Sequence, residues 1–107
     1  MAHSILEQVR ATLREANIIK TDKEFCEVWL GKSECYLRSL RFNDIPPSAD
    51  ALANCASRLA WVTNELRARD AVKHLHWIDR LNALRLDCYL AMDQQAMRKW
   101  REKGVAI

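Results

Sequence analysis

The segment from residue 21 to residue 43, TDKEFCEVWLGKSECYLRSLRFN, constrains the fold most, because its pattern predicts two short helices separated at a glycine. Thr21 followed by Glu24 is a capping box, which starts a helix by satisfying backbone N–H groups at its N-terminus. Gly31 follows the apolar residues of that helix. A chain that leaves a helix in a left-handed conformation favours glycine there, so the first helix of the pair is expected to end at Gly31.

A second helix is predicted to cover residues 33–42, with Ser33 as its cap. Its apolar side is formed by Tyr36, Leu37 and Leu40. Glu34, Arg38 and Arg41, at positions i, i+4 and i+7, lie on the other side. Two helices arranged in this way have the outline of a helix-turn-helix, and the polar side is what a DNA-reading helix presents.

The segment resembles the repressor-type helix-turn-helix of bacterial and phage regulators. It is also similar to a group of small uncharacterised alphaproteobacterial proteins with an EFC-x-x-WLG-x-S-x-x-YL run, and the resemblance covers residues 5–68. It implies a regulator that binds double-stranded DNA, with the helix 33–42 in the major groove. The residues implied to face base edges are Ser33, Glu34, Arg38 and Arg41, and those implied to approach phosphates include Lys23 and Lys32.

The segment departs from the repressor pattern at two positions. Repressors of this kind usually have a small residue four positions before the turn glycine and an apolar residue just after it, where this chain has Glu27 and Lys32. Two explanations stay open. Either Cys26 supplies the small residue in a first helix one residue longer, or the motif is degenerate and the trihelical core reuses the turn without binding DNA.

The composition predicts an all-α protein, since half of its 107 residues are apolar and only two are glycine and two proline. The formal net charge is +3. Residues 1–50 nevertheless hold seven Lys or Arg against eight Asp or Glu, whereas residues 51–107 hold ten against six. A DNA-binding protein usually concentrates positive charge where it touches phosphate, so the charge distribution favours DNA binding less than the motif does.

Helical spacing also predicts a first helix from about Ile5 to Ala16, closed by Asn17. The segment 43–48 contains two prolines and is predicted to be a turn, after which Ser48 caps a new helix. That helix carries a heptad seam, which is interpreted as packing on the preceding helices: Leu52, Cys55, Leu59, Val62 and Leu66.

Residues 1–68 are thus predicted to form a repressor-like core, and residues 69–107 a C-terminal helix for dimerisation or partner binding. Whether the chain breaks or stays helical near Asp70 is left open by the pattern. The predicted interface is one apolar seam: Trp77, Leu81, Leu84, Cys88 and Ala91. Further apolar residues lie at neighbouring positions, and the expected cover for this excess surface is a second copy of the chain.

No residue pattern indicates an enzyme, a cofactor or a metal site. The four cysteines are 9, 20 and 33 residues apart with no C-x-x-C pair, and are interpreted as reduced, buried thiols that suit a cytoplasm. His74 and His76 point about 200° apart on a helix. The first ten residues lack a basic leader with an apolar run, and no segment approaches about 18 uninterrupted apolar residues. The protein is therefore expected to be neither secreted nor membrane-spanning.

The sequence thus predicts a small cytoplasmic transcriptional regulator, a repressor that reads an operator through the helix 33–42 as a homodimer. The alternative hypothesis is a non-enzymatic helical adaptor or inhibitor that binds another protein. It would use the C-terminal surface or the degenerate motif, and an origin in a phage or mobile element suits either hypothesis.

Overall fold

The computed structural model describes residues 4–104, and the regular secondary structure in that range is helical, which confirms the all-α prediction. Helix α1 covers Ser4–Glu15. A single turn, α2 (Asp22–Glu24), continues as a π-helical segment, Phe25–Trp29. Helix α3 covers Tyr36–Asn43, α4 covers Ala49–Asp70, and α5 covers Leu75–Glu102.

The first two predicted helix boundaries are confirmed by local hydrogen bonds. Asn17 ends α1 in the left-handed region, at φ 60°, as its position predicted. The hydroxyl of Thr21 accepts a hydrogen bond of 3.1 Å from the N–H of Glu24. The Glu24 carboxylate accepts one of 2.9 Å from the N–H of Lys20, one residue before the cap. The capping box therefore forms, but the Glu24 carboxylate bonds to the N–H of Lys20 and not to that of Thr21.

The π-helical segment buries Phe25, Cys26 and Trp29 in the core, leaves Val28 exposed, and ends at Trp29, two residues before the predicted Gly31. Its wider turns are visible in the bond from the Leu30 N–H to the Phe25 carbonyl, at 3.2 Å. The N–H of Lys32 then bonds to the Cys26 carbonyl at 2.9 Å. Gly31 itself has φ 66°, a conformation that costs an L-residue energy and glycine none.

The predicted start of the second helix is wrong. Helix α3 begins at Tyr36, and Ser33 lies in the connection before it, where its carbonyl accepts a bond of 3.0 Å from the Tyr36 N–H. The turn over residues 33–36 takes the place of the first helical turn. Tyr36 is also fixed from elsewhere in the chain, because its hydroxyl accepts a bond of 2.9 Å from the N–H of Ser48. The DNA-reading helix that was predicted over residues 33–42 thus corresponds to the shorter helix Tyr36–Asn43.

Helices α4 and α5 form an antiparallel pair joined by a turn, which settles the question that the sequence left open at Asp70. Ser48 caps α4 as predicted, accepting a bond of 3.1 Å from the N–H of Ala51. The helix ends at Asp70, whose carboxylate accepts a bond of 3.0 Å from the Lys73 N–H in the turn.

The core is one cluster of buried side chains that draws on every helix. The seam of α4 is buried at Leu52, Cys55, Leu59 and Val62, and it packs along α5. The seam is therefore intramolecular, but its predicted partner is wrong, because α5 and not the preceding helices covers most of it. The predicted boundary at residue 68 does not divide the protein into two cores.

The seam of α5 that was predicted as a dimer or partner interface is part of this core. Leu81, Leu84 and Cys88 are buried by α4 and α1 of the same chain. Ala91 packs against the cluster, and Trp77 is half-buried under the guanidinium of Arg80, which lies 5.3 Å from its ring centroid. The interface assignment is therefore wrong, because α5 needs this seam for its own fold.

Candidate nucleic-acid interface

Helix α3 buries one side and presents the other to solvent. Leu37 and Leu40 pack into the core. The opposite side, which we call the α3 face, is exposed and consists of Cys35, Arg38, Ser39 and Phe42. These four residues follow the helical spacing of i, i+3, i+4 and i+7, so they form one continuous surface. Phe42 is 88% exposed, whereas phenylalanine side chains are usually buried.

The position of α3 is fixed at its N-terminal end by α4. The Tyr36 hydroxyl bonds to the backbone of Ser48 in the first turn of α4. The side-chain amide of Asn54, one turn further along α4, donates a hydrogen bond of 3.0 Å to the carbonyl of Leu30. A Cβ added at Gly31 would lie 2.9 Å from that same amide nitrogen. The glycine therefore permits both the backbone angle and the close approach of α4 to the turn.

A chain of alternating charges connects α3 to α1 and α2. Arg41 Nε lies 3.2 Å from Glu7 Oε1, an ion pair without the alignment of a hydrogen bond. The other oxygen of Glu7 lies 3.1 Å from Arg10, which also contacts Asp22 at 3.2 Å. Burial on its own lowers the pKa of Arg10, but Asp22 and Glu7 outweigh it and raise that pKa. Arg41 is thus turned toward α1 and away from the α3 face.

Lys32 is also engaged within the chain. Its ammonium lies 3.2 Å from the Asp50 carboxylate and 5.8 Å from the ring centroid of Tyr36. Asp50 is in the first turn of α4, so this ion pair again joins the connection before α3 to the start of α4. Lys32 does not lie on the α3 face, although its position beside the turn keeps it near that surface.

The structure brings only some of the predicted DNA-contacting residues together. Arg38 lies at the centre of the α3 face and makes no ion pair with any residue between 4 and 104. Ser33 and Glu34 are exposed in the connection that precedes α3, and Lys23 is exposed on α2. Arg41, as described, belongs to a different side of the helix.

Three residues of the α3 face were missed by the sequence reasoning. Cys35 was predicted to be a buried thiol, which is wrong, because it lies exposed at the start of this face. Ser39 lies beside Arg38 and is positioned by Asn43, whose side-chain amide donates to the Ser39 carbonyl at 2.9 Å and lies 3.3 Å from its hydroxyl. Phe42 is an aromatic residue, and its hydrophobicity predicts a place in the core. Its spacing of four from Arg38 was the available signal, because residues at i and i+4 share one side of a helix.

Two other features bear on the kind of site that residues 4 to 104 could form. In that range no three or more histidine, cysteine, aspartate or glutamate side chains gather where a metal ion would bind. None of the helices described here combines the length and the apolar composition needed to cross a membrane.

Comparisons with known proteins identify one family. Neither the search of curated proteins nor the search of solved structures found a match. Residues 6–101 match a family of unknown function, DUF6626, and because that match covers most of the chain, the protein belongs to this family.

Proposed function

We propose that this protein is a cytoplasmic transcriptional regulator that binds double-stranded DNA through α3 and acts as a homodimer. The observation that carries the proposal is the α3 face, where Arg38, which makes no ion pair within residues 4–104, lies beside Ser39 and Phe42 on the exposed side of a short helix. Two motif residues support it: Thr21 caps the preceding helical segment, and Gly31, at φ 66°, lies in the turn that follows that segment.

The α3 face has the chemistry that a major groove can accept. The groove admits one α-helix, and arginine is the residue that most often contacts guanine, through two hydrogen bonds to O6 and N7. A serine hydroxyl donates or accepts as the base requires, and a phenylalanine ring contacts the methyl group of thymine. Arg38, Ser39 and Phe42 therefore offer three different base contacts from one surface. An exposed phenylalanine also gains on binding, because its apolar area leaves water.

The surrounding cations would supply contacts to phosphate. Lys23 is exposed, while Lys32 and Arg41 are held by Asp50 and Glu7. Ion pairs at a protein surface contribute only about 0–1 kcal/mol each. A phosphate can displace the exposed Asp50 carboxylate from Lys32 at small cost, whereas removing Arg41 would leave a buried oxygen of Glu7 without its cation. Ser33 and Glu34 lie at the end of α3 that first enters the groove.

The first experiment is selection of bound sequences from a random duplex pool by the purified protein at near-physiological salt. A homodimer with two reading helices is expected to enrich a palindrome whose half-sites are about one helical turn apart. The affinity for the selected site should then fall steeply as salt rises, because each phosphate contact releases counterions. The absence of any enriched motif would argue against the proposal.

Variants at two arginines then test the role of the α3 face. Arg38→Ala is expected to weaken binding of the selected site by about 10- to 100-fold, the range for loss of one bidentate base contact. Arg67→Ala is the matched control, because it removes the same charge from an exposed site near the far end of α4. If the two variants bind equally well, α3 is not the reading helix.

A second candidate function is that of an adaptor or inhibitor that binds another protein, and one surface favours it. Arg58 on α4 lies between two tryptophans, with its guanidinium carbon 5.5 Å from the Trp29 ring centroid and 5.7 Å from that of Trp61. Trp61 is 57% exposed. Tryptophan and arginine are the residues most enriched at binding hot spots. Trp61→Ala is expected to abolish binding of a protein partner and to leave DNA affinity unchanged.

A further inference from the structure

Helix α5 has a second apolar seam, on the side turned away from the core. Its residues recur at alternating spacings of three and four, and we call them the outer seam: Ala83, Leu86, Leu90, Asp93, Met97 and Trp100. Leu86 is 51% exposed and Leu90 is 64% exposed. The seam extends over about 26 Å of helix. An alternation of three and four over this length is the heptad pattern by which two helices pack along each other.

We infer that the outer seam is a homodimer interface, in which α5 of one copy packs antiparallel against α5 of a second copy. A two-fold axis beside the peptide bond between Ala91 and Met92 places complementary side chains opposite one another. Ala83 faces Trp100 of the second copy, so the smallest residue of the seam meets the largest. Leu86 faces Met97 of the second copy, and Leu90 faces Asp93 of the second copy. Every contact occurs twice, as a two-fold interface requires.

The charges that flank the outer seam support the same arrangement. In the antiparallel alignment Asp87 approaches Arg101 of the second copy, and the symmetry repeats this pair at the other end. Neither residue forms an ion pair with any of residues 4–104. In a parallel alignment Asp87 and Arg101 would lie about 21 Å apart along the helices. Charge complementarity therefore favours the antiparallel dimer.

Asp93 is the one charged residue of the outer seam, and it fixes the register. A polar residue at a single heptad position selects one alignment at a cost in stability. In the proposed alignment the two copies of Asp93 lie near the two-fold axis, where their negative charges repel each other. Replacing Asp93 with leucine is therefore expected to tighten the dimer.

The inference goes beyond DNA binding and is tested without DNA, by sedimentation equilibrium of the purified full chain. The parent protein is expected to be a dimer, and Leu90→Glu is expected to raise the dissociation constant by about 30-fold or more. Val72→Glu is the matched control, because Val72 is 87% exposed in the turn before α5 and lies outside the seam. Circular dichroism of both variants checks that the fold is intact.

A charge exchange tests the antiparallel direction. Asp87→Arg and Arg101→Asp are each expected to weaken the dimer, and the double variant is expected to restore it. A monomeric parent protein, or a Leu90→Glu variant as dimeric as the parent, would overturn the inference. Failure of the double variant to recover would overturn the antiparallel register. None of these outcomes depends on whether α3 binds DNA.

Discussion

Replacing Gly31 with alanine tests the geometry that holds α3 in place. At φ 66° an L-residue costs about 1–2 kcal/mol more than glycine. The new Cβ would also lie 2.9 Å from the side-chain nitrogen of Asn54, which must then move. Asn54 would lose its hydrogen bond to the Leu30 carbonyl, a further loss of about 0.5–1.5 kcal/mol. Together these effects predict that the free energy of unfolding falls by about 2–3 kcal/mol.

Urea denaturation followed by circular dichroism measures this loss, and Asn54→Ala separates its two parts. In the Asn54→Ala background the methyl group meets no amide, so Gly31→Ala should cost only the backbone strain. The two substitutions should thus show a coupling of about 1 kcal/mol. Gly104→Ala is the control, because Gly104 has φ 72° but no atom within 4 Å of an added Cβ. Additive effects, or a Gly31→Ala variant as stable as the parent, would refute the reasoning.

Three further outcomes follow from contacts around α3. Tyr36→Phe removes the hydroxyl that joins α3 to the start of α4, and should lower the free energy of unfolding by about 1 kcal/mol in urea denaturation. Glu7→Gln releases Arg41 from its ion pair, so DNA affinity should rise and its salt dependence should steepen by up to about one phosphate contact; unchanged binding in titrations would exclude Arg41 from the interface. Iodoacetamide should label exposed Cys35 well before Cys26, whose pKa is raised by burial, and mass spectrometry of the peptides measures the order.

The helix boundaries that the sequence predicted correctly are those decided within a few residues. The hydroxyls of Thr21 and Ser48 each accept a bond from an N–H three positions later. Gly31 lies in the turn closed by the bond from the Lys32 N–H to the Cys26 carbonyl, six positions earlier. Ser33 has the same chemistry as Ser48 but does not cap. The start of α3 is set instead by the hydroxyl of Tyr36, which is held by a residue twelve positions later in the chain. Such a tertiary contact leaves no trace in the local pattern.

The candidate site was predicted in part for a related reason. Arg38 was correctly placed on the exposed side of α3, because helical spacing alone decides it. The partners of Lys32 and Arg41 could not be predicted, since Asp50 and Glu7 reach them from α4 and α1. Phe42 was missed because hydrophobicity indicates burial, whereas this side chain is 88% exposed at the C-terminal end of α3.

The two seams of α5 show why amphipathic pattern alone could not choose the interface. Both have heptad spacing, so periodicity does not distinguish them. The inner seam, which consists of Trp77, Leu81, Leu84, Cys88 and Ala91, is uncharged, and its Cys88 is buried in the same core as Cys55 of α4. Interaction between the two thiols raises the pKa of Cys55 and lowers the pKa of Cys88. The outer seam contains Asp93, whose carboxylate would lose most of its water in a monomer core. Between only two helices the same carboxylate keeps part of its hydration. Burying the charge of Asp93 costs free energy. For that reason α5 packs its inner seam into the core, and the outer seam is left exposed for a second copy.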